Sequence, residues 1–245
     1  MRNLKLTIEY DGTNYHGWQI QPNGVTVQET IEMVLATLTR QRPKVICAGR
    51  TDAGVHAEGQ AAHFKTETTM DSERLQKGMN ALLPDDIVIT CVEEVADDFH
   101  ARYSARGKTY RYVILNRAYP SVFQRNRCWQ ITFPLDLGAM REGAAHLLGR
   151  HDFSSFQASD CCAKHPRREV RDMVIEEEGP WIRIYVTADA FLKHMVRNMV
   201  GTLVDVGRGK TGAAAIPAML AARDRTRSGG TAPAHGLFLA AVIYR

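Results

Sequence analysis

The sequence predicts an α+β fold made of two β-α-β-β-α-β halves, and three observations carry that expectation. Apolar residues alternate at period two along short stretches and recur at helical spacing along four longer ones. The same order of elements then occurs twice along the chain. Each half matches the split ferredoxin-like unit, which presents a sheet on one face and helices on the other. Two such units side by side predict one extended, mainly antiparallel sheet with a cleft across it.

In the first half, residues 3–10 alternate as a strand and run into a loop rich in Gly, Asn and Pro. A helix is predicted from Val27 to Thr39, because Thr26 and Glu29 form a capping box ahead of an Ile31, Val34, Leu35, Leu38 stripe. Strands over 44–49 and 59–65 flank a tight loop at Asp52. A second helix runs from Ser72 to Leu83, where Leu75, Met79, Leu82 and Leu83 share a face and Pro84 stops it. A strand over 86–95 closes the half.

The second half repeats the scheme without repeating the letters. It predicts a strand from Thr109 to Leu115, a helix from Leu137 to Leu148, and strands over 169–177 and 181–188 joined by a Glu-Gly-Pro turn. A helix from Phe191 to Val206 and a strand from Leu237 to Tyr244 complete it. The Ser-Ala-Arg-Gly stretch near Ser104 to Lys108 marks the boundary, giving an N-terminal lobe over 1–104 and a C-terminal lobe over 105–245.

Composition narrows the function classes. At 245 residues the chain can bury a large core, and 44% hydrophobic with 24% charged residues is ordinary for a globular protein. No apolar run approaches the roughly 20 residues a bilayer-crossing helix needs. The N-terminus alternates like a strand instead of showing the apolar core of a signal peptide. Cys47, Cys91, Cys128, Cys161 and Cys162 are odd in number and scattered, which argues against a disulfide framework. The expected compartment is the cytoplasm.

Net charge is only +4, but the bases are clustered. They gather over 101–112, at Arg125 and Arg127, over 164–168, and at Arg223, Arg225 and Arg227. The first cluster interleaves its bases with Tyr103, Tyr110 and Tyr112, a mixture suited to phosphates and stacked bases together. The expected partner is a nucleic acid.

The run Ala-Gly-Arg-Thr-Asp-Ala-Gly-Val-His-Ala, residues 48–57, isolates one carboxylate, Asp52, at a strand end. Gly49 and Gly54 allow backbone angles other residues avoid and let another molecule approach the main chain. Arg50 lies two residues away, within reach of a phosphate or base. By local composition Thr-Asp-Ala-Gly is a turn and nothing more; its companions give it chemistry. Arg197 lies on an otherwise apolar helix, in a stripe with Lys193 and Gly201, where Gly201 leaves room. A partly buried arginine wants a carboxylate partner, and a guanidinium beside an aspartate keeps it ionised, the state a nucleophile needs.

Two other readings fit parts of the pattern. A non-catalytic RNA-binding module would use the same basic and aromatic surface without needing Asp52. A metal-dependent nucleic-acid enzyme would draw on Cys161, Cys162 and His165, or on His56 and His63, but neither set follows zinc-site spacing. No metal is expected.

Several stretches in order resemble the TruA family of bacterial tRNA pseudouridine synthases. They are 10–21 (Tyr-Asp-Gly-Thr-Asn-Tyr-His-Gly-Trp-Gln-Ile-Gln), 26–29, 48–57, 99–105, 108–112, 191–201 and 232–237. The resemblance covers nearly the whole chain and is weakest over 157–168. It implies the pseudouridine synthase fold and isomerisation of uridine at tRNA nucleotides 38, 39 and 40, in the anticodon stem-loop. It implies Asp52 as nucleophile, Tyr110 binding the target base, Arg197 pairing with Asp52, and Arg50 displacing the nucleotide from its stem. It also implies a homodimer, no metal and no organic cofactor.

Overall fold

The structure is a computed structural model that describes Met1–Tyr244. It is a mixed α+β protein whose strands are mostly antiparallel, and its chain forms two compact units. The first comprises Met1–Arg106 and the chain's end from Phe238; the second is Gly107–Leu237.

The first unit runs β1 (Arg2–Tyr10), α1 (Val27–Thr39), β2 (Ile46–Cys47), β3 (His56–Thr66), α2 (Ser72–Leu82) and β4 (Ile87–Val95). Its helices begin as the sequence dictates. The Thr26 hydroxyl accepts the Glu29 N–H, and Asp71 caps α2 through the Arg74 N–H. Leu4, Leu6, Ile8 and Tyr10 point one way from β1 and are buried, while Glu9 on the other face is exposed. β1 lies antiparallel between β4 and β3, and short β2 pairs with β3. The final strand, β10 (Leu237–Ile243), follows the elements of the second half in sequence. It pairs in parallel with β3, Phe238 opposite His56.

The second unit contains β5 (Gly107–Asn116), β6 (Trp129–Ile131), α3 (Leu137–Ala145), β7 (Gly149–Asp152), β8 (Arg167–Glu178), β9 (Trp181–Ala188), α4 (Met195–Gly207) and α5 (Ile216–Ala222). The order β5-β9-β8-β7 is antiparallel throughout, with β6 added in parallel on β5. On β9, Ile182, Ile184, Val186 and Ala188 are buried at period two, as predicted.

Five elements differ from expectation. The helix predicted to Leu148 ends at Ala145, and Gly149 at φ +92° starts the unpredicted β7. β6 and α5 are three and seven residues long, too short for periodicity to register. The helix expected from Phe191 begins only at Met195, because His194 sits at φ +62° and breaks it. Lys193 therefore lies outside the Arg197 stripe and pairs instead with Asp160 at 2.5 Å.

Candidate active site

Asp52 stands in the loop between β2 and β3, half-buried, where the sequence placed it. The Val55 N–H returns to the Asp52 carbonyl at 3.1 Å, and Gly54 takes φ +75°, as the third position of a type II turn requires. The residues just before it are locked from several sides. The Thr51 hydroxyl bonds the buried Tyr10 hydroxyl at 2.7 Å, and the Thr51 carbonyl accepts the Trp18 N–H at 3.1 Å. Gln60 donates to the Gly49 carbonyl at 2.7 Å. Burial drives the Tyr10 pKa well above its usual value, against the opposing bonds to Thr51 and Gln60, so it braces the loop as a neutral phenol.

Sequence reasoning missed the other half of this brace, the 12–18 segment. The Gly54 N–H bonds the Tyr15 carbonyl at 3.3 Å, and a Cβ on Gly17 would lie 2.6 Å from the Thr51 carbonyl oxygen. A Cβ on Gly12 would lie 2.0 Å from that of Val55. From its other side the segment is fixed to the start of α1, through Val27 N–H to Gly17 and Gln28 N–H to Trp18. Only Gly12 and Gly17, ahead of the Thr-Val-Gln-Glu cap, hinted at it. His56 receives the Gly12 N–H at Nδ1, 3.0 Å, and stacks on Phe238 at 4.6 Å.

Arg50 shares the loop with Asp52 and is exposed. Tyr110 and Arg197 belong to the second unit. Tyr110, on β5, is only 7% exposed, with Phe191 edge-on to its ring at 5.0 Å, so it is no surface platform. Tyr112, two residues on, is fully buried: its hydroxyl donates to the Pro233 carbonyl at 2.8 Å, and a Cβ on Gly236 would strike its ring at 2.6 Å. Burial raises the Tyr112 pKa, with the Arg197 charge acting against that. Arg197 is half-buried on α4, and its Nε donates to the Ala232 carbonyl at 2.7 Å. The 232–236 segment thus ties Arg197 to the middle of β5.

The room that Gly201 leaves on its stripe is taken by the chain's own backbone. A Cβ there would fall 1.7 Å from the Gly230 carbonyl oxygen, because the chain's own 225–232 segment lies on α4. Arg225, counted above among clustered bases, holds that segment. Its guanidinium bonds Ser228, Gly229, Asn198 and Thr231 at 2.9–3.0 Å. Of the aromatics interleaved with bases, Tyr103 is the accessible one, 77% exposed beside Arg102.

Tyr103 stacks on His100 at 4.3 Å, and His100 lies 4.7 Å from His63. The buried His63 accepts the Ala101 N–H at Nδ1, 3.1 Å, so it works as a neutral ring. Burial and the neighbouring His100 push its pKa below the usual 6.5. That contribution to stability is complete above about pH 6.5 and is lost as pH falls through the lower folded value. The urea midpoint is therefore expected to drop between about pH 7 and pH 5, and less steeply in His63→Gln.

A family model described as tRNA pseudouridine synthase matches residues 6–104 and 144–245. The chain belongs to this family. Asp52, Arg50 and Arg197 lie within the matched segments of the pseudouridine synthase model, and Tyr110 lies between them. The chain is 49% identical over 246 residues to the tRNA pseudouridine synthase A of Myxococcus xanthus, covering 100% of this chain and 93% of that relative. It is 47% identical over 244 residues to that of Thermoanaerobacter sp. (strain X514), covering 100% of both. With that of Moorella thermoacetica it shares 49% over 243 residues, 98% of this chain and 99% of the relative. No helix among the described residues is long and apolar enough to cross a membrane.

Proposed function

We propose that this chain isomerises uridine to pseudouridine at positions 38, 39 and 40 of the tRNA anticodon stem-loop, with Asp52 as the nucleophile. The observation that carries this reading is the bracing of Asp52. A family member spends Thr51, Tyr10, Trp18, Gln60 and two close-packed glycines on holding one half-buried carboxylate at a strand end.

The reaction breaks the N1–C1′ bond of uridine, turns the uracil, and joins C5 to the same sugar carbon. The C5 hydrogen leaves, N1 gains one, and no electrons are exchanged. A carboxylate meets the sugar when its glycosidic bond breaks, as in glycoside cleavage. A stacked uridine must first be flipped out, at a cost of a few kcal/mol. In this reading exposed Arg50 displaces the nucleotide, and Tyr110 and Arg197 bind it. The enzyme works as a cytoplasmic homodimer without metal or organic cofactor.

Purified protein, with neither metal nor nucleotide added, is expected to release tritium from tRNA carrying 5-tritiated uridine, and only from the anticodon arm. Release confined to another arm rejects the substrate site. Release that requires an added metal favours the metal-dependent reading, and tight tRNA binding without release favours the binding module.

A further inference from the structure

A cavity of about 280 Å³ opens in the second unit, away from the residues assigned above. Arg125, Cys128, Trp129, Gln130 and His235 line it. Its chemistry comes from two of them. Trp129, on β6, supplies an aromatic wall set nearly perpendicular to Tyr112 at 6.3 Å. Arg125 supplies the charge at the rim, exposed and tethered through Nη1 to the Val122 carbonyl at 2.8 Å.

An aromatic wall and an exposed guanidinium together fit a planar base joined to a phosphate. The volume lies at the small end of ligand pockets, roughly 300 Å³ and upward, and suits a single nucleoside. The place is also informative. His235 lines the cavity, Pro233 holds the Tyr112 hydroxyl, and Ala232 holds Arg197, so one four-residue segment joins the cavity to Arg197.

We propose that this cavity is a second nucleotide subsite, taking one nucleoside of the bound tRNA other than the target. Its base lies against Trp129, and its phosphate meets Arg125. The proposal rests on the reading of the chain as a tRNA-modifying enzyme.

The test uses synthetic anticodon stem-loop RNAs, each abasic at one position outside the target, assayed with the unaltered protein, Arg125→Ala and Trp129→Leu. With the unaltered protein, one abasic position is expected to raise KM roughly five- to a hundredfold, the range of a lost base–aromatic stack. In Trp129→Leu the penalty at that position disappears while the penalties at other positions persist. Arg125→Ala weakens binding of every RNA and lowers the salt slope by about one charge. Identical abasic penalties in all three proteins, with an unchanged salt slope in Arg125→Ala, overturn the proposal. Because Arg125 is exposed, its variant decides the question if Trp129→Leu fails to fold. Failure of the unaltered protein to convert the intact RNA would instead overturn the parent reading.

Discussion

Asp52→Asn is expected to abolish pseudouridine formation while leaving tRNA affinity within about twofold. Loss of a catalytic nucleophile costs roughly 10³- to 10⁶-fold in turnover, because the remaining groups bind and orient without forming the bond. The substitution is nearly isosteric. The backbone that holds the loop is unchanged: Val55 N–H to the Asp52 carbonyl, Trp18 N–H to Thr51, and Gly54 N–H to Tyr15. The thermal midpoint should therefore move by no more than a few degrees. Tritium release measures turnover, and filter binding of the same tRNA measures affinity. A variant that keeps a tenth or more of the normal rate removes Asp52 as nucleophile, and a non-catalytic binding module would lose nothing at all. Equal loss of affinity and turnover would mean that Asp52 holds RNA without reacting.

Where local chemistry decides a structure, it was legible in the sequence. α1 runs from Val27 to Thr39 as predicted, because Thr26 caps it and its apolar stripe is continuous. β9 matches to the residue because its alternation is unbroken. The loop that carries Asp52 and Arg50 was legible for the same reason: glycines flank it and strands bracket it. Most of the misses are long-range. Order along the chain says that β10 follows α4, but nothing in its seven residues names β3 as its neighbour. Arg225 reads as a phosphate-seeking base in a charge plot, yet its donors are taken by Asn198, Gly229 and Thr231, contacts that exist only once 225–232 folds onto α4. The need for glycine at 201 was legible, but not that this same segment is what lies against it. His194 stops the helix before Met195 through its backbone angle, which apolar periodicity does not report. The role of Tyr110 rests on resemblance alone, since its burial gives no chemical signal and the family model matches on either side of it.

The second large effect falls on a residue that has no side chain to offer a substrate. Gly17→Ala is expected to cut turnover by about a hundredfold with a much smaller effect on tRNA affinity. Two independent conditions require glycine there. Its φ of +86° lies in the left-handed region, where a Cβ costs roughly 1–2 kcal/mol. Its missing Cβ would also lie 2.6 Å from the Thr51 oxygen and 3.1 Å from the carbonyl carbon of Asp52. Neither contact can be relieved by turning a side chain, because both atoms are backbone. The 12–18 segment cannot retreat easily either, since Gly17 and Trp18 accept N–H groups from Val27 and Gln28 at the start of α1. The strain is therefore relieved on the other side, in the Asp52 loop. A shift of about 1 Å in a reacting group is enough for a hundredfold loss of rate. The measurement is a pair: single-turnover rate with saturating tRNA, and thermal midpoint. A rate unchanged at a lowered midpoint would mean that the strain is absorbed in 12–18, and that the loop holding Asp52 is less firmly placed than its hydrogen bonds imply. A lost rate with a midpoint only a few degrees lower identifies Gly17 as the residue that sets where the carboxylate stands.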